Sequence, residues 1–593
     1  MNEQPKSIWK KSIRLPQLLL VWLGLMVATV LIVVGIMMVA HQPAIESHGV
    51  VGVLIFGAVG ATVLLAGWIF VRWLFCRRNR KRSLFALACF TTLIALFYAE
   101  EDWRGWHTWH QFQQSWAAKG EHFDLASSVP PPVPDAQNFA MTPIVFTSYG
   151  YILTRDAKLI PYDKRDPHFV IRMHLPIAHN DSPPPGCAGD RVQGTFIKLD
   201  GWQGYYREQA AKTNEFAVPS QPQSPAQDVL LALSKYDPVL DELRAASRLP
   251  DSRFPINYDS ESPWAILLPH LAQLKSCAML LQLRSAAELQ NGQSGQALDD
   301  VRLMLQLADK VRTEPILISH LVRAVMVQLA LQSVWEGLAQ HKWSDAQLIA
   351  LEAELARPDF VAAYRLGLHG ELGGQTGEMD LIRRKPEHLQ DLADFWDFDG
   401  NTMHYSLPTG MASLIPTGWL YQNEYRSVRR LLEDYLPLAD AVQGTFSPSL
   451  ARRVDGEVMR ETESAGLFNW YERIMLPSLG HSAMKFAYAQ ASVDLARTAI
   501  ALERYRLAHG DYPEALDALT PQFIAQVPHD VIGGLPLKYR RTSDGQFVLY
   551  SVGWNETDDG GVVAGRKSND PKDESSHTPG ISQGDWVWRY PAK

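Results

Sequence analysis

Hydrophobic positions are concentrated at the start of the chain and become periodic only later. Residues 18–40 and 49–71 are two 23-residue stretches without a charged side chain, and 83–99 adds a third of 17. A helix needs about 20 apolar residues to cross a bilayer, with about 17 as the lower bound. The pattern predicts three transmembrane helices, apolar all round rather than on one stripe. From 227 to 357 the pattern turns amphipathic. Leu267, Leu271, Leu274, Ala278 and Leu281 form one stripe that stops at Asn291-Gly292. Ser294 is placed to cap the next helix, with Leu298, Val301, Leu305 and Ala308 on its apolar face. Pro315 opens a third, whose apolar positions include Ile318, Leu321, Val322, Val325 and Leu329. Ser344 and Gln347 have capping-box spacing for a fourth. Short turns between such helices imply antiparallel neighbours, an all-α bundle or solenoid fragment.

The segments between are less regular. Pro-rich runs punctuate 118–226, and 144–153, 168–175 and 195–200 read as short β-like runs. Helices are expected near 358–372 and 424–440. The acidic-aromatic stretch 394–405 between them fails as an EF-hand: Thr402 stands where glycine is needed and Pro408 where glutamate is needed.

From Met484 the order becomes a long helix, a short helix and a β-hairpin. Val493, Ala496, Ile500 and Leu507 share a helical face, Gly510 ends it, and Pro513 prevents continuation. PEALDALTPQF follows, then PLKYRRT and QFVLYSVG joined by Ser543-Asp544-Gly545. Four spaced pieces, ALERYRLAHGDYP, PHDVIGGLPLKYR, LYSVGWNETDDGG and GDW, give residues 484–590 a likeness. They resemble the globular head of the type II secretion major pseudopilin. Departures are Val531, where that family has proline, and the polar insertion 565–580. The resemblance implies a calcium-binding loop made by Asn555, Asp558, Asp559 and Asp585. Calcium takes six to eight hard oxygens, which a Gly-rich acidic loop can supply. The family's filament helix has no counterpart: Glu472 in GLFNWYE precedes no long apolar run. The Pro-rich stretch, helical middle and head together look like large membrane-anchored bacterial proteins.

Charge sharpens the picture. Residues 1–99 hold 10 Lys and Arg against 2 Asp and Glu, leaving 46 against 62 for the rest. The anchor is therefore +8 and the remainder −16. Lys6, Lys10, Lys11 and Arg14 precede the first span, and Arg77, Arg78, Arg80, Lys81 and Arg82 follow the second. Basic loops stay in the cytoplasm, which places the N-terminus inside a bacterial inner membrane and residues after about 100 in the periplasm. An acidic exterior disfavours nucleic acid as a partner. Trp103, Trp106, Trp109 and Trp116 suggest an interfacial belt, and His107 and His110 alone are too few for a metal. Cys187 and Cys277 could form a disulfide, or Cys277 could be a buried thiol.

The expected architecture is a multi-domain α+β membrane protein. It comprises three transmembrane helices (1–99), an interfacial and Pro-rich region (100–226), an α-helical domain (227–475) and a pseudopilin-like head (476–593). No HExxH, GxSxG, P-loop, CxxC or strand-to-helix GxGxxG occurs. His369 and Glu371 read as surface or cap residues. Three functions remain open. One is a membrane-anchored scaffold that binds a protein partner through a calcium-stabilised head. The second is an accessory factor of a secretion or pilus-like machine, which requires the Val493–Ala496–Ile500 face to be accessible. The third is an extracytoplasmic hydrolase, which requires a deep pocket with converging ionisable groups, expected within 358–475.

Overall fold

The computed structural model describes residues 21–25, 61–62, 65–69, 80–149, 151–153, 159–161, 172–178, 182–213, 215–221, 223–389, 415–462, 468–563 and 580–591. They divide into two compact units, Met1–Glu101 and Asp102–Lys593. Most of the first two expected spans lies outside the described residues, and the pieces described there are helical. The third expected span is helical, within α1 (Arg80–Ala117). Its side chains from Leu84 through Phe97 are largely exposed. Leu84–Ala117 is one of two described helices long and apolar enough to cross a membrane; the other is Leu317–Ala339.

The helix does not stop at residue 99, and this divides the expected tryptophan belt. Trp103 and Trp106 are exposed and stack on His107 and His110, one turn along. Trp109 is only 3% exposed. It packs edge-on to Phe123, and Trp116 packs against the same core. Aromatic spacing alone could not separate the two environments, because both suit a large ring.

The second unit is mainly helical. Its helices are α2 (Leu199–Thr213), α3 (Pro225–Leu233), α4 (Asp237–Ser247), α5 (Pro269–Gln290), α6 (Ser294–Asp309), α7 (Leu317–Ala339), α8 (Asp345–Leu355), α9 (Phe360–Arg384), α10 (Thr417–Arg430), α11 (Pro448–Thr462), α12 (Trp470–Met475) and α13 (Pro477–His509). α5 and α6 form an antiparallel hairpin at Asn291-Gly292, where Gly292 takes the left-handed conformation. The Ser344/Gln347 capping box forms with both bonds. Ser294 does not cap α6; its hydroxyl accepts from Gln347 Nε2 at 3.2 Å.

α7 packs against α5, α6, α9 and α13. Its buried face runs through Met326, Val327, Ala330, Leu331, Val334, Trp335 and Leu338, whereas Ile318 and Val325 of the expected stripe are exposed. Most of its circumference is covered, so periodicity could not select the face. His320, Arg323, Gln332, Ser333 and Glu336 are also buried on α7. That polar content marks it as a core helix despite its apolar length.

Glycine allows α9 to be approached closely. A Cβ at Gly370 would lie 1.6 Å from the Pro315 carbonyl oxygen, and one at Gly373 2.5 Å from Leu125 N. Each glycine costs roughly 1 kcal/mol of helix propensity relative to alanine, offset here by backbone-to-helix packing. α10 continues through a wide turn, Leu431–Tyr435, and a tight one, Leu436–Leu438. The stretch 394–405 lies outside the described residues.

The β content is small. β1 (Tyr151–Leu153) pairs antiparallel with β2 (Leu159–Pro161), and β3 (Ala439–Asp440) with β4 (Thr445–Phe446). Only the end of the expected 144–153 run is strand, since Pro143–Phe146 and Thr147–Tyr149 are helical turns. Residues 172–175 are not strand. In 195–200, Thr195 bridges Asp190, and α2 begins at Leu199, burying Trp202 and Tyr206. Cys187 and Cys277 are both free and buried, so no disulfide joins them.

In the last segment α13 ends at Gly510, with φ 87°, as expected. β5 (Lys538–Arg541) and β6 (Phe547–Ser551) form the hairpin, and β7 (Trp586–Arg589) adds a third antiparallel strand. The expected short helix is a single tight turn, Leu516–Leu519. α13 packs on α7, α8 and α9 as well as on β6 and β7. Val493, Ala496 and Ile500 are each at most 1% exposed. Two further ties join this segment to the rest of the unit. Trp335 Nε1 donates to the Arg589 carbonyl at 2.9 Å. Phe446 N donates to the carbonyl of Val531 at 2.8 Å.

Candidate functional site

The four residues implied as calcium ligands do share one loop. The chain leaves β6 at Ser551 and turns at Gly553, where a Cβ would meet the Gly584 oxygen at 2.4 Å. It returns through Val563, which bridges Gly584. Asp585, 2% exposed, closes the loop. Its N–H donates to the Val562 carbonyl at 3.0 Å. Its carboxylate accepts from Asp559 N at 3.3 Å and Gly561 N at 2.6 Å. Burial pushes the Asp585 carboxyl up, and those N–H donors pull against the rise.

Asp558 is held below its ordinary value by the Tyr550 hydroxyl, the Gly560 N–H and Lys538. The hydroxyl lies at 2.9 Å, the N–H at 3.1 Å and the Lys538 ammonium at 3.3 Å. Asn555 Nδ2 donates to Asp559 at 2.9 Å, and Asn555 Oδ1 accepts from Thr557 N at 3.2 Å. The carboxylates therefore serve protein donors, and Asp558 already faces a cation. Among the described residues no group of three or more His, Cys, Asp or Glu is placed to hold a metal ion. In this arrangement calcium, which takes six to eight hard oxygens, would have to displace protein donors from these carboxylates. The residue the sequence reading missed is Asp530, 2% exposed. It accepts from Ile532 N, the Ser551 hydroxyl and Val552 N at 2.9, 2.7 and 3.1 Å. Asp530 binds the 529–534 turn to the end of β6. Its place before Gly533-Gly534 was the available signal.

The segment expected to hold any catalytic pocket contains an open groove of about 530 Å3, lined by Tyr425, Arg426, Arg429, Glu461, Asn469 and Glu472. Its two carboxylates pair with one buried guanidinium. Arg430 reaches Glu461 at 2.6 Å and Glu472 at 3.1 Å, and also Asp434 at 2.8 Å. Glu472 is thus a structural ion-pair partner on α12. A second open groove, about 500 Å3, borders the acidic loop and holds Arg452, Asp455, His481, Trp554 and Ser582. Burial raises Asp455, and His481 nearby lowers it. The most triad-like row is elsewhere. His270 Nε2 lies 2.8 Å from Glu314 Oε1, and its Nδ1 meets the Tyr149 hydroxyl. His270 is 0% exposed, with Phe254 stacked on it at 4.1 Å. A general base must reach the proton it takes, so this row serves the core.

His369 is not a free surface residue. It bonds the Arg365 carbonyl at 2.7 Å and pairs with Glu121 at 3.1 Å. Glu371 on the same helix is part-buried, and desolvation pushes its carboxyl up to about 7.

Neither family models, curated proteins nor solved structures give a match to this chain.

Proposed function

We propose that this chain is a membrane-anchored extracytoplasmic interaction or scaffold protein that binds a protein partner. The observation that carries the reading is α1, which presents an exposed apolar stretch from Leu84 to Phe97 and has Trp109 buried further along the same helix. Lipid is the solvent that accepts such a surface without loss, since in water each exposed Leu or Phe forgoes about 1.5–3 kcal/mol of burial. The basic N-terminal loops and acidic remainder support a cytoplasmic N-terminus with the helical unit outside a bacterial inner membrane. The scaffold reading ranks above a secretion accessory role because Val493, Ala496 and Ile500 are buried and not accessible to subunits, although Leu507 at the end of the same expected face is 45% exposed. It ranks above a hydrolase because the two carboxylates of the groove described in 358–475, Glu461 and Glu472, are held by Arg430.

Cysteine labelling tests the placement. Val442 is 96% exposed; Cys187 and Cys277 are buried and Cys89 is exposed, so the unsubstituted chain is the labelling control. Val442→Cys in the full chain is expected to react with a membrane-impermeant maleimide in intact bacterial spheroplasts. Labelling only after lysis would overturn the orientation. Release of the chain by alkaline carbonate would overturn the anchor.

A further inference from the structure

Three helices of the second unit end around one concavity. α4 ends at Ser247, α6 at Asp309 and α8 at Leu355, and α7 forms its wall. The cavity measures about 280 Å3, near the small end of ligand pockets at about 300 Å3. Leu305, Ala308 and Val327 make an apolar floor, 5% exposed or less. Around it stand Arg248, Lys310, Arg312, Arg323 and Arg357 against only Asp309 and Glu354.

Helix C-termini attract cations, so some positive charge here is ordinary. Each terminus carries about half a negative charge, and three of them together with two carboxylates leave the five cations in excess. The carboxylates are also already shared. Asp309 takes Arg323 at 3.3 Å and Arg312 at 2.5 Å. Glu354 takes Arg357 at 2.9 Å and Arg302 at 3.5 Å. Lys310 donates to the Leu249 carbonyl at 2.6 Å.

A separate observation points to a missing acceptor. Arg323 is 4% exposed and lines the cavity, and its Nε is buried without a hydrogen-bond partner. A buried guanidinium with an unmet donor is costly unless something accepts from it. Planar guanidinium groups match the geometry of phosphate and carboxylate oxygens.

We propose that this cavity is a binding site for a small phosphate-bearing anion, with Arg323 at its base and Arg248 and Arg312 at its rim. It would give an otherwise acidic unit a specific anionic ligand, independent of how the chain is anchored. The test is thermal unfolding of the purified full chain in detergent, with pyrophosphate as probe. Sodium chloride at matched ionic strength is the control. Pyrophosphate is expected to raise the melting temperature in a saturable way. The rim variant R248Q/R312Q alters exposed side chains. It is expected to keep the fold and weaken pyrophosphate at least about tenfold, the size of one lost charge-assisted hydrogen bond. R323M, if folded, is expected to abolish the shift. A shift equal to that of sodium chloride, or one unchanged in the rim variant, would overturn the proposal.

Discussion

Trp335→Ala tests whether the C-terminal segment shares one core with the helices. Trp335 is 0% exposed, near the C-terminal end of α7. Its ring lies 5.0 Å from Phe196, and its Nε1 donates to the Arg589 carbonyl on β7. Replacing a buried Trp with Ala costs about 3–5 kcal/mol, cavity included. A unit spanning Asp102–Lys593 has an unfolding entropy on the order of 1 kcal/mol per kelvin, from about 2.1 cal/mol/K per residue. If the unit melts as one, Tm falls by about 3–5 °C. Scanning calorimetry of the full chain in detergent reads the shift, and pulse proteolysis during the scan reports which segment becomes cleavable. The expected result is one transition, displaced downward, at which 476–593 and the helices become cleavable together. A separate transition for 476–593, unmoved by the substitution, would refute the shared-core reasoning.

Four further outcomes follow from the same packing. Gly370→Ala is expected to cost more than about 2 kcal/mol, because its Cβ would overlap the Pro315 carbonyl and the helix or the 315 turn must shift. Gly204→Ala in α2 meets nothing within 4 Å, and is expected to be neutral or stabilising by up to about 1 kcal/mol in denaturant titration. Glu371, raised to about 7, favours the folded state when protonated. Its contribution is present below the unfolded value of about 4.3 and is lost as pH rises through about 7. Glu371→Gln is therefore expected to raise Tm at pH 8 and to leave it unchanged at pH 4, with a stability gain at pH 8 of at most about 4 kcal/mol and less for its partial exposure; equal shifts at both pH values would contradict this. Asp585→Ala removes the acceptor for Asp559 N and Gly561 N and is expected to lower Tm, whereas chelation of the wild type leaves Tm unchanged. A chelator-sensitive Tm would show that calcium binds the loop in place of these donors.

Local features were legible from local residues. The Ser344/Gln347 box, the Asn291-Gly292 stop, the Gly510 cap and the Ser543-Asp544-Gly545 turn each depend on a few neighbouring side chains, and each stands where the sequence placed it. Of the four acidic-loop residues, only their proximity was legible. Asn555, Asp558, Asp559 and Asp585 do meet in one loop. Which donors they would meet was not legible, because Lys538, Tyr550 and the loop amides arrive through strand pairing.

The amino-acid order by itself determined the apolar stretch 83–99, the charge contrast between residues 1–99 and the remainder, the helix ends and the hairpin. Those follow from propensity, capping and periodicity within one or two turns. Only the tertiary structure decided which face of α7 is buried, which tryptophans are core, and that α13 is enclosed by helices on one side and a sheet on the other. It also decided that five cations from four segments converge on one cavity. Burial and electrostatic fields are sums over residues distant in the chain, and no short window of sequence contains those sums.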